Sequence, residues 1–207
     1  MLKKKANTKG LYNAYKGKKQ VEQAGREVEN RSMNGMSGRE DICVFSLSHG
    51  TGTSYISSAV ANYLSGYRKG KVALVLNNTE FADEIVSPRV NVTSWENETE
   101  VFIGSNYVVH DVGVYEELTM NKRESLQRGT KKILLCKGDG AYMTKLATFV
   151  ESEKTEDVVF LFNQLPHEWE KRAFELIDFT RQVFCVPTFF SVRPDKQVVG
   201  LIEEILR

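Results

Sequence analysis

The chain of 207 residues lacks any apolar run near the roughly 20 residues that cross a bilayer. Its basic opening, MLKKKANTKGLYNAYKGKKQ, has none of the apolar stretch that a secretory signal needs. Without such a signal the Asn-x-Thr sequons at Asn77, Asn91 and Asn97 carry no weight. Cysteine is scarce: Cys43, Cys136 and Cys185 each lie in an apolar run. An odd number so placed argues against a disulfide framework and predicts reduced, buried thiols in a cytoplasmic protein. Three cysteines and three histidines are too scattered for a zinc site, and neither HExxH nor GxSxG occurs.

The composition, 41% hydrophobic and 27% charged, fits a soluble globular domain with a real core. A net charge of +1 hides an asymmetry. Residues 1–20 hold seven lysines and no acid, and residues 1–40 hold ten basic and four acidic residues. The remaining 167 carry 18 basic and 23 acidic residues, a net of −5. The polar stretch from Gly25 to Arg39 reads as a linker, so the expected division is a basic arm and linker over 1–40 and a domain over 41–207. Such an arm suits an anionic partner, nucleic acid or a membrane surface; a solvated tail is the competing reading.

From Asp41 onward, strand and helix signals alternate. Short apolar runs predict strands at 42–47, 71–76, 106–110, 132–136, 157–162 and 182–186. Helical patterns fall at 55–67, 114–127, 140–152, 167–180 and 195–206. This order predicts a doubly wound, mainly parallel α/β sheet with helices on both faces. Between the first strand and helix lies Ser48-His49-Gly50-Thr51-Gly52-Thr53-Ser54, a loop of small, permissive residues. Strand, glycine loop and helix together form the layout of a phosphate-binding unit. Gly50 and Gly52 forming only a tight turn, and Ser54 capping the helix, are the plainer alternatives.

This segment resembles the ParA/MinD family of P-loop NTPases, whose strand leads through Lys-Gly-Gly-x-Gly-Lys-Thr-Thr into a helix running to "ANxLA". Here the helix reads ISSAVANYLSGY and is followed by KGKVALVL. The resemblance covers residues 41–207 and implies a three-layer α/β/α domain. It assigns ATP or ADP to Gly50, Thr51, Gly52, Thr53, Ser54 and Tyr55, with Mg2+ at Ser54 and Asp111. Asn163 and Pro187 match strand-end positions at the base. Asp111 is expected at the C-terminal edge of its strand, close to Ser54.

The departures are specific. The family's signature lysine falls on Ser48, its P-loop lysine on Thr53, and its acidic pair after the second strand on Leu76 and Asn78. Phosphoryl transfer depends on cations and positioned groups, so no catalytic residue is expected and hydrolysis at a useful rate is not. His49 has no partner acid evident in the sequence. The leading expectation is a regulatory or scaffold protein with a degenerate nucleotide site that binds nucleotide weakly or not at all, similar to the TadZ/CpaE-like branch. It would be bacterial and cytoplasmic, or peripheral at the inner membrane face, with a protein partner such as a pilus or secretion machine and the option of a homodimer. One alternative is an active partitioning ATPase in which Lys69, Lys71 or Lys137 supplies the missing charge. The other is a DNA-binding module using residues 1–20.

Overall fold

The computed structural model describes residues 38–80, 82–97, 104–153, 155–163, 165–177, 182–186 and 196–207. They belong to one compact unit, Gly38–Arg207. The basic residues 1–20 and most of the expected linker lie outside the described residues, as does Pro187.

Seven strands form the sheet: β1 (Glu40–Ser46), β2 (Val72–Leu76), β3 (Val90–Ser94), β4 (Tyr107–Val114), β5 (Lys131–Lys137), β6 (Val158–Asn163) and β7 (Val183–Val186). Their order is β3-β2-β4-β1-β5-β6-β7, and every described pairing is parallel. The helices are α1 (Thr53–Gly66), α2 (Ala82–Ile85), α3 (Met120–Arg128), α4 (Gly140–Ser152), α5 (His167–Leu176) and α6 (Lys196–Ile205).

The strands are continuously apolar because both faces are covered. Successive side chains enter opposite layers, as the two-residue period of a strand requires. Ile42, Val44, Ile133, Leu135, Val159 and Leu161 join the core beneath α1 and α6. Cys43, Phe45, Leu134, Cys136, Phe160 and Phe162 join the opposite core, with Leu126 of α3, Met143 and Leu146 of α4 and Ala173 of α5. Fully burying a side chain of this size contributes about 1.5–3 kcal/mol.

Three expectations need correction. The helix expected over 114–127 starts at Met120, because β4 runs on to Val114 and a 3-10 turn, Tyr115–Glu117, follows it. Asp111 therefore lies inside β4, just before the register against β1 shifts. Strand β3, with its half-polar burial pattern, and the short α2 were not expected. Of the thiols, Cys43 and Cys136 are buried but Cys185, on the edge strand β7, is exposed. Among the described residues no helix is long and apolar enough to cross a membrane.

Candidate functional site

The loop after β1 sits where the sheet order parts, with β4 and β2 on one side and β5 and β6 on the other. Ligands of open α/β sheets bind at this kind of strand-end crevice. Gly50 (φ +65°) and Gly52 (φ +95°) are both left-handed, a conformation that a side chain would strain. Gly52 is the N-cap of α1 and no side chain caps it. Ser54 is therefore the second residue of the helix and is not its cap.

The Ser54 hydroxyl instead donates to Asp111 Oδ2 at 2.5 Å. Asp111 is wholly buried, and its Oδ1 has no hydrogen-bond partner among the described residues. Its backbone carbonyl accepts from Asn77 Nδ2 and from the Trp95 indole N–H, each at 2.9 Å. Burial pushes the Asp111 carboxyl above its ordinary value, and the nearby Ser54, Thr53 and Asn77 groups pull it only part of the way back. A buried carboxylate with one unsatisfied oxygen beside a hydroxyl is a donor set that suits a hard divalent cation. Ser54 and Asp111 thus fit the metal of a magnesium nucleotide, and the left-handed glycines with the uncapped helix start fit its phosphates.

Neighbouring elements tie off the loop carbonyls one after another. Lys145 of α4 donates to Leu47 O (3.2 Å), Lys137 at the end of β5 to His49 O (3.0 Å), and Asn163 at the end of β6 to Thr51 O (3.0 Å). Ser48 O accepts from the hydroxyls of Ser46 (2.9 Å) and Thr51 (3.4 Å). Tyr142 pins the base: its hydroxyl accepts from Leu47 N–H at 3.2 Å and donates to Leu135 O at 2.6 Å. Asp139 caps α4 by accepting from Tyr142 N–H, fixing the helix that carries both Tyr142 and Lys145.

Gly50 to Tyr55, Asp111 and Asn163 thus gather at one sheet edge; Tyr55 is half-buried in the first turn of α1. Asn163 holds the loop backbone. His49 does have an acid beside it, Glu117 Oε1 at 2.8 Å, with both side chains exposed. Lys69 and Lys71 precede β2, which places them at the edge opposite the loop, whereas Lys137 lies on it. Of the two positions where the family's acids would stand, Leu76 is buried at the end of β2 and Asn78 holds a local turn to Glu80 N–H at 2.8 Å, while Asn77 between them accepts from Lys122. Sequence reasoning missed Lys122, Tyr142, Lys145 and Glu117; each lies at least 45 residues from the group it meets at the end of β1 or β2, namely Asn77, Leu47 or His49. For Lys122, Tyr142 and Lys145 the one signal available was a polar residue in the first two turns of a helix.

This is the three-layer α/β/α fold of the P-loop NTPases. A candidate plasmid partition protein of Borrelia burgdorferi B31 bound to AMPPNP superposes with a TM-score of 0.61 at 13% identity, covering 82% of this chain and 97% of that one. A ParA family ATPase of Chlorobium tepidum TLS gives 0.58 at 11% identity, covering 83% and 99%. FtsY of Mycoplasma mycoides gives 0.53 at 12% identity, covering 84% and 69%. At these identities the likeness speaks for the fold. No protein-family model and no curated protein matches the chain.

Proposed function

We propose that this chain is a ParA/MinD-like regulatory or scaffold protein that binds a magnesium nucleotide and hydrolyses it slowly or not at all. The reading rests on one observation: Ser54 and the half-satisfied, buried Asp111 meet at 2.5 Å beneath a left-handed glycine loop. The AMPPNP bound by a protein of the same fold supports it. Gly50, Thr51, Gly52, Thr53, Ser54 and Tyr55 would take the phosphates, Ser54 and Asp111 the metal, and Asn163 and Pro187 the base side. When bound, Mg2+ would neutralise phosphate charge. The chain's own residues position the ligand, and Leu76 and Asn78, at the family's acid positions, offer no carboxylate to orient an attacking water. In this reading the domain positions a protein assembly such as a pilus or secretion machine, alone or as a homodimer. Residues 1–20 form its tether to an anionic membrane or nucleic acid.

Calorimetric titration with AMPPNP and ADP, with and without Mg2+, tests this, with ATP turnover assayed on the same sample. Metal-dependent binding with negligible turnover is the expected result; no binding sinks the nucleotide reading. Rapid turnover would favour the second reading, an active partitioning ATPase, which draws its support from Lys137 lying on the loop.

A further inference from the structure

We infer that Lys137 supplies the phosphate-binding cation that the loop itself lacks, delivered from the end of β5. The inference rests on the nucleotide reading above and adds a residue to it. Strand β5 pairs with β1 up to Ser46 and Leu135, so Lys137 emerges beside the start of the loop. Its ammonium donates to His49 O at 3.0 Å, and a Cβ on Gly50 would stand 3.6 Å from its Nζ. The cation therefore rests against the first left-handed glycine, on the part of the loop that would hold an anion.

Two features argue for more than a strut. Lys145, which also reaches a loop carbonyl, is neutralised by Glu116 at 3.1 Å, whereas Lys137 has no carboxylate partner among the described residues. Asp111 independently marks the site as ligand-binding: its buried Oδ1 is unpartnered. An uncompensated ammonium and an unsatisfied carboxylate, reaching the loop and the first turn of α1 from β5 and β4, match a metal polyphosphate, which presents both charges. The strand end that carries Lys137 is also held firmly. A Cβ on Gly138 would fall 2.4 Å from Pro166 Cδ and 3.1 Å from Leu165 Cα, so only glycine allows β5 to lie this close to the turn after β6.

The test is calorimetric titration of the full chain with AMP, ADP and AMPPNP in Mg2+, for wild type, Lys137→Met, Lys137→Gln and Lys137→Arg. Thermal unfolding without nucleotide establishes that each variant folds. Loss of a charge-assisted contact should weaken AMPPNP binding by about 10- to 100-fold in Lys137→Met. AMP binding should barely change, and the salt dependence of AMPPNP binding should flatten. Lys137→Gln keeps a donor for His49 O and should show the same loss, whereas Lys137→Arg should recover most of the affinity. An unchanged AMPPNP-to-AMP preference in Lys137→Met, or full affinity in Lys137→Gln, leaves Lys137 a strut and overturns the inference alone. Wild type that binds none of the three overturns the inference together with the nucleotide reading.

Discussion

The ends of β1 and β2 lie two strands apart on the same edge and have been furnished in opposite ways. After β1 the loop carries no lysine, yet Lys137 and Lys145 reach its carbonyls from β5 and α4. After β2 the acids of the resembling family are missing, and Asn77 there accepts from Lys122, a group of opposite charge. Burial holds the Lys122 pKa below its ordinary value, and Asp111 and Glu117 pull it only part of the way back. The contrast separates two tasks: an anion can be held by any cation in the right place, whereas orienting a water calls for a basic oxygen at a defined point. On the reading proposed above, the β1 end is equipped for the first task and the β2 end is not equipped for the second.

The sharpest way to break the comparison is Asp111→Asn. If the end of β1 holds a metal nucleotide, Mg2+-dependent AMPPNP affinity should fall by about a hundredfold, roughly 2.7 kcal/mol, in calorimetry. The same change should raise the stability of the nucleotide-free protein by about 0.5–2 kcal/mol in thermal unfolding, because a buried, half-satisfied charge disappears. A variant that is merely less stable and binds as before would show that Asp111 serves only the fold.

Next in size is Tyr142→Phe, which tests whether the β1 end is held from outside. It would leave Leu47 N–H and Leu135 O without their buried partner and should cost about 1–3 kcal/mol in denaturant unfolding. An unchanged midpoint would mean that the loop keeps its shape without α4.

At the opposite end of β1, Asp41 accepts from His110 Nε2 at 3.2 Å and Arg39 Nε at 3.0 Å. Burial alone would raise its pKa, but the His110 and Arg39 contacts outweigh that and leave it below its ordinary value of 3.8. A depressed folded value means stability present above about 3.8 and lost as pH falls through the lower folded value. Asp41→Asn should therefore lower stability near neutral pH by about 1 kcal/mol, and the gap to wild type should close in acid. A gap constant down to the acid transition would remove the ionic account. The smallest effect is expected from Asn78→Ala, whose side chain holds only a local turn. AMPPNP affinity and turnover should stay as in wild type, with stability within about 0.5 kcal/mol; a loss of turnover would restore chemistry to the β2 end.

Sequence alone made much of the sheet legible, because central parallel strands must be apolar on both faces. Phe160 and Leu161 belong to different layers, and only an unbroken run satisfies both. The edge strand β3 escaped for the converse reason: Asn91 is exposed and Val92 half-buried, so no run marks it. The false helix start at 114 arose where Val114 and Leu118 mimic helical spacing while the chain is still strand and 3-10 turn. At the candidate site, the left-handed Gly50 and Gly52 were legible as a turn because a loop motif is local, whereas Asp111, 57 residues from Ser54, was reached only through the resemblance. The pairing of His49 with Glu117, 68 residues apart, and of Lys145 with Leu47, 98 apart, depends on which strands become neighbours. Nothing in a short window encodes that.

The tied carbonyls of Leu47, Ser48, His49 and Thr51 have one more consequence. Fixing a residue's backbone costs about 1–2 kcal/mol in conformational entropy, and here that cost is met during folding, before any ligand arrives. A pre-stiffened cradle of this kind gains affinity by not having to order itself, but it also has little shape left to change. Occupancy would then be announced through altered surface potential at the strand edge, and a partner that senses it must read charge.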